Sequence, residues 1–226
     1  MKTATDAFVY CFYMINSFPC DFYKHVYLSV ELLVKHGLDV SERNNYGESL
    51  LTEYLKYTTE IKESLVNKDI NDVLPFLKKT IGCLIYGGAD IHHRTDENDL
   101  PFTVFTERLS LNYVWYSGFY RRTWLMNVTE NLLKSVCLFL KFMDIQEARE
   151  VLERALSYLD SIDKHREHLE LRKLLKETFR NTFSALSSLT TICLVKVWKC
   201  AGKGYSELDM PEVLKDSIKE MLYITF

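Results

Sequence analysis

Only 8 glycines and 4 prolines punctuate the 226 residues of this chain. That supply is too small for the many tight turns of an all-β fold. No run reaches the ~18 consecutive apolar residues that a membrane-spanning helix needs. The six cysteines, Cys11, Cys20, Cys83, Cys137, Cys193 and Cys200, include no Cys-x-x-Cys pair, and several sit inside apolar helical runs. This pattern suits buried thiols in a reducing compartment rather than a disulfide framework or a zinc ribbon. A dominant charge is also missing. The formal net charge of −3 sets up no field to attract phosphate backbones or an acidic membrane, so neither nucleic acid nor membrane is an expected partner.

Signatures of catalysis are missing as well. The chain has no Gly-x-Ser-x-Gly, no His-Glu-x-x-His, no phosphate loop and no Gly-x-Gly-x-x-Gly. His25, His36, His92 and His93 lack a zinc-ligand spacing, and His165 and His168 lie among glutamates on what reads as a solvated helix face. The expectation is a protein without enzymatic activity, metal or cofactor. Lys2 and the apolar stretch "AFVYCFYMI" (7–15) imitate a signal peptide, but no small-x-small cleavage site follows. The expected location is therefore cytoplasmic, with the nucleus as a second compartment.

What the chain does have is helical periodicity and one internal echo. The segments "VELLVKHGLDVSERNNYGESLL" (30–51) and "GCLIYGGADIHHRTDENDLPF" (82–102) run in parallel. Each ends a leucine-rich helix with a glycine (Gly37, Gly88), continues through an aspartate (Asp39, Asp90) and a β-branched residue (Val40, Ile91), and crosses a polar loop to a new apolar start. Such a pattern predicts a helix closed by a left-handed glycine, an extended turn and the next helix. Helical periodicity then continues through 131–143, 145–159 and 165–186. Paired helices that cannot bury their faces alone stack into a solenoid. A plain helical bundle is the alternative that the same periodicity leaves open.

These two segments resemble the ankyrin repeat, whose helix ends run Leu-Leu-x-x-Gly-Ala-Asp and whose next repeat opens near Gly-x-Thr-Pro-Leu. Gly47–Leu51 and Asn98–Phe102 are degraded forms of that opening. The two glycine caps lie 51 positions apart against an ankyrin period of 33, and an insertion around 58–72 accounts for the excess. Ankyrin stacks hold partner proteins on loop tips and first helices. The resemblance therefore implies a substrate face at Arg43, Tyr46, His92 and Arg94, for a protein that the sequence does not identify. It also makes further repeats ahead of Met1 an expectation.

A second resemblance lies in "SSLTTICLVKVWKCAGK" (187–203). Leu189, Ile192, Cys193 and Val197 fall on one helical stripe, and Ser188, Leu189, Cys193 and Val197 match the four defined positions of the elongin-binding segment of the SOCS box. Such boxes continue to a Leu-Pro-aliphatic-Pro element and a final short helix. Here "ELDMPEVLKDSIKEMLY" (207–223) supplies Leu208, Met210 and Pro211, with Asp209 in place of the first proline and Leu214 opening the last stripe. Gly-Lys-Gly at 202–204 reads as a hinge, and the Asp209–Glu212 spacing as a capping box. The aromatic stretch 113–124, with Arg121 and Arg122, reads as packing or as a protein-binding surface.

Together the segments resemble an ankyrin repeat and SOCS box protein. The implied fold is all-α: an ankyrin-like helical-hairpin solenoid followed by a three-helix SOCS box. Degenerate ankyrin repeats would occupy 1–104, helical hairpins 105–185 and the box 186–226. The implied function is substrate recognition for an elongin B/C–cullin-5–RING ubiquitin ligase. Elongin would dock at Leu189, Ile192, Cys193 and Val197, and the cullin at Leu208, Met210, Pro211 and Leu214. An ankyrin adaptor with an F-box-like C-terminus and a non-ligase ankyrin scaffold are the competing readings.

Overall fold

In the computed structural model the described residues are 22–37, 39–59, 70–162, 169–185 and 189–223. They are all-α: nine α-helices and two 3₁₀ turns, with a single isolated bridge between Arg43 and Ser49. The helices are α1 (Phe22–Lys35), α2 (Leu50–Thr58), α3 (Ile70–Tyr86), α4 (Pro101–Tyr116), α5 (Arg122–Cys137), α6 (Ile145–Ile162), α7 (Leu169–Ala185), α8 (Leu189–Ala201) and α9 (Glu212–Leu222). A 3₁₀ turn covers Leu138–Phe142 and another Gly202–Glu207. The segments at 1–21 and 60–69, which hold the signal-like stretch and most of the expected insertion, lie outside the described residues.

Packing sorts the helices into two rows. In one, α1 packs on α3, α3 on α5 and α5 on α7; in the other, α2 packs on α4 and α4 on α6. Successive helices α2–α3, α4–α5 and α6–α7 pair across the rows. The apolar stripes explain the arrangement. In α3, Leu77, Ile81 and Leu84 are fully buried, and in α6 Val151 and Ala155 are, while charged residues take the other faces. Phe102, Phe105 and Leu109 bury α4 between its two row neighbours.

The internal echo is physical. After α1 and after α3 the chain forms a finger with the same hydrogen bonds 51 positions apart. Gly37 (φ 81°) and Gly88 (φ 102°) are left-handed, and their N–H groups return to Val34 O and Ile85 O. Asp39 and Asp90 each accept the backbone N–H two residues on, both at 2.9 Å. Val40 and Ile91 then drop into the core. At the tips, Asn44 N–H donates to Glu48 O (2.9 Å) and Thr95 N–H to Asp99 O (3.0 Å). Left-handed residues stand at Gly47 (φ 70°) and Asn98 (φ 66°). Sequence opposes the two tips as Asn-Asn-Tyr-Gly-Glu and Thr-Asp-Glu-Asn-Asp, yet both give the same turn.

The C-terminal elements lie against the middle of the stack. Trp198 of α8 stacks on Tyr86 at the end of α3 (5.9 Å, 22°) and meets Tyr205 edge-on (5.7 Å). Ile218 and Leu222 bury one side of α9. Lys141 Nζ donates to Met221 O (3.2 Å), satisfying a carbonyl at the α9 C-terminus. Two local expectations change. Gly202–Glu207 is a 3₁₀ helix rather than an open hinge, and it joins the two α-helices α8 and α9. The N-cap of α9 is Pro211, with no side-chain cap bond, rather than a box from Asp209; the proline's fixed φ of −54° directs the chain into the helix instead.

Gly82 makes this docking possible. A Cβ at this position would lie 1.6 Å from Leu222 O, so α3 admits the end of α9 only because residue 82 lacks a side chain. Gly82→Ala is expected to destabilise the protein by about 1–3 kcal/mol, the usual cost of overpacking, and to speed amide exchange in α9 more than in α2 or α4. Thermal unfolding and hydrogen exchange read both effects; uniform exchange across all three helices would count against the docking.

Candidate functional site

Two surfaces emerge from this arrangement. The first is on the C-terminal elements. Along α8, Val195 and Trp198 turn inward and Val197 is half-buried, whereas Cys193 and Cys200 are exposed. The side chains of Leu189 and Ile192 lie outside the described residues. The buried-thiol expectation therefore holds for Cys83 and Cys137, whose thiols burial pushes up (Cys83 to about 12), but not for Cys193 or Cys200. At the start of α9 the chain presents Leu208 (42% exposed) and Leu214 (38%) to solvent, with Pro211 exposed and Met210 packed partly on the core. Val213, in the first turn of α9, is 74% exposed. It escaped the stripe pattern because it lies off the line through Leu214, Ile218 and Leu222; an apolar residue on the polar side of an amphipathic helix was the available signal.

The second surface is a groove of about 1,100 Å³ between the two fingers and the row formed by α2, α4 and α6. Tyr46 stands 75% exposed beside it, and Arg43 is exposed on the same finger. The other two residues expected on this face are engaged within the molecule. His92 Nδ1 meets Glu147 of α6 at 2.5 Å, and Arg94 forms a two-pronged pair with Glu150 of α6, both contacts at 2.8 Å. Arg154, also from α6, pairs with Asp99, approaches Glu107 (3.9 Å) and donates to Asn98 O (3.2 Å). The second finger is thereby clamped to α6. It holds the first finger in turn through a hydrogen bond between His93 Nε2 and Gly47 O (2.8 Å).

The groove walls carry carboxylates that the loop-tip reading overlooked: Glu48, Glu53, Asp99 and Glu107. They lie just before or on α2 and α4, and only the fold gathers them. Glu48 and Glu53 share Lys56, and Asn44 Nδ2 donates to Glu53 (2.7 Å). Burial raises the Glu48 carboxyl, but hydrogen bonds with Glu53 and Lys56 outweigh it and leave it below its ordinary value. Burial and the hydrogen bond with Glu48 push Glu53 the other way, up to about 7. Burial also raises Asp99 and Glu107 against the pull of Arg154.

Elsewhere, no group of three or more His, Cys, Asp or Glu residues among the described residues could hold a metal ion, and no described helix is long and apolar enough to cross a membrane. No protein-family model, curated protein or solved structure matches the chain.

Two expectations follow from the finger and groove chemistry. Arg94→Ala should lower stability by about 1 kcal/mol or less, the range of partly exposed ion pairs, whereas Tyr46→Ala should leave the melting temperature unchanged. Equal losses in a thermal melt would contradict the clamp. For Glu53, the folded value of about 7 exceeds the ordinary 4.5, so the native state binds more protons than the unfolded state between these limits. The contribution of Glu53 to stability thus falls as pH rises through this window. Glu53→Gln should flatten that decline and raise the melting temperature at pH above 7 by about 2–4 °C, with no gain below 4.5; a variant that melts lower at high pH would contradict it.

Proposed function

We propose that this chain is a non-catalytic substrate-recognition subunit of an elongin B/C–cullin-5–RING ubiquitin ligase, acting in the cytoplasm or nucleus. An ankyrin-like stack would hold the target protein, and a C-terminal SOCS box would dock the ligase. The observation that carries this reading is the exposure of apolar residues on the C-terminal elements. Leu208, Val213 and Leu214 face solvent, and Cys193 is exposed on α8. Apolar residues exposed close together in sequence at the entry to an amphipathic helix suit a docking surface. Two rows of packed helices and two matching fingers support the ankyrin part. The Ser188, Leu189, Cys193 and Val197 spacing supports elongin as the partner, with Ile192 on the same face.

In this reading Leu189 anchors the elongin contact, since a buried leucine contributes about 1.5–3 kcal/mol. Leu208, Met210, Pro211 and Leu214, joined by Val213, face the cullin. Asp209 lacks the backbone restraint of the proline it replaces and weakens that contact. The test is co-expression with elongin B/C. Leu189→Asp and Cys193→Glu should both lose elongin C on affinity purification while keeping wild-type helical circular dichroism. Cys193 is exposed, so its variant separates a lost contact from a lost fold. Retention of elongin C by both variants would sink the assignment.

A further inference from the structure

The groove between the fingers and the row of α2, α4 and α6 has an unbalanced charge. Six of its lining residues are acidic, Glu48, Glu53, Asp96, Glu97, Asp99 and Glu107, against Lys56 and Arg108. The positive groups nearby are already divided. Lys56 serves both Glu48 and Glu53, and Arg154 serves Asp99, Glu107 and Glu150. Asp96 and Glu97 are exposed at the tip of the second finger. Removal from water raises Glu53, Asp99 and Glu107, so each of these carboxylates would gain from an added cation.

A second feature favours the same kind of guest. Tyr46, Tyr116 and Tyr158 line the groove, and aromatic faces attract guanidinium and ammonium groups. The volume, about 1,100 Å³, lies above the roughly 300–1,000 Å³ of small-molecule pockets. It runs along two fingers and three helices, a shape suited to a length of chain rather than a compact ligand.

We propose that this groove binds an extended basic segment of a partner protein, with Lys or Arg side chains placed between the finger carboxylates and over the tyrosines. This rests on the reading of the finger face as the one that holds the target, and it gives the target a chemical class. Negative potential along a groove also steers a basic segment toward it, so association is salt-sensitive.

The experiment uses the full chain and fluorescent peptides of equal length, one rich in Lys and Arg, one rich in Glu and one neutral, with binding read by anisotropy at low and physiological salt. The basic peptide should bind, weaken about tenfold or more with added salt as charged contacts are screened, and outcompete spermine. Glu53→Gln with Glu107→Gln should weaken it about tenfold, from two lost charge contacts. The exposed pair Asp96→Asn with Glu97→Gln, which leaves the clamp intact, should by itself weaken it several-fold. Equal binding of all three peptides, spermine binding as tightly as the peptide, or unchanged affinity in the Asp96/Glu97 variant would each overturn the proposal. Co-purification with elongin B/C is read on the same preparations. A chain that binds the basic peptide but not elongin supports the groove and overturns the ligase reading, and the reverse result overturns the groove alone.

Discussion

Arg154 holds the second finger in place. From α6 it reaches Asp99, Glu107 and the carbonyl of Asn98 together, while Arg94 returns from the finger to Glu150 on the same helix. A turn whose fourth residue is left-handed has little stability of its own, and Asn98 at φ 66° is held there by two arginines that donate to its oxygen. The first finger is held at its tip. It leans on the second through His93 and Gly47, where a side chain at residue 47 would strike Asp96. The groove is thus built in sequence: α6 fixes one finger, that finger fixes the next, and α2 and α4 line the rest.

Much of the helical layout was legible in the chain. The leucine stripes, the two glycine caps and the Asp-β-branched pairs signalled where helices end and fingers begin, because 3.6-residue periodicity and left-handed glycines are local properties. The engagement of His92 and Arg94 was not legible. A polar loop residue looks the same whether it faces a partner or a glutamate some 55 positions away. The groove carboxylates escaped for a similar reason: Glu53 and Glu107 sit on different helices, and only the row packing brings them to one surface. At the C-terminus the expected capping box gave way to Pro211, since a proline at a helix entry fixes the backbone without any side-chain bond.

The exposed apolar residues and the acidic groove differ in what they ask of a partner. Leu208, Val213 and Leu214 gain by leaving water, a contact that tolerates salt and depends on shape. The groove gains by charge, a contact that is long-ranged and weakens with ionic strength. With both proposed contacts in place, one partner would be held steadily and another exchanged quickly.

Gly82 gives that combination a geometric consequence. With Leu222 seated against α3 and Trp198 stacked on Tyr86, the C-terminal elements form a bracket on the stack rather than a tether beside it. Two molecules bound to the two surfaces would meet at a distance and angle fixed by the bracket, with no linker entropy to overcome. Their effective concentration toward one another would be set by the helical stack itself, high for partners of matching size and near zero for those that cannot span it. Selection by reach would then operate alongside selection by chemistry.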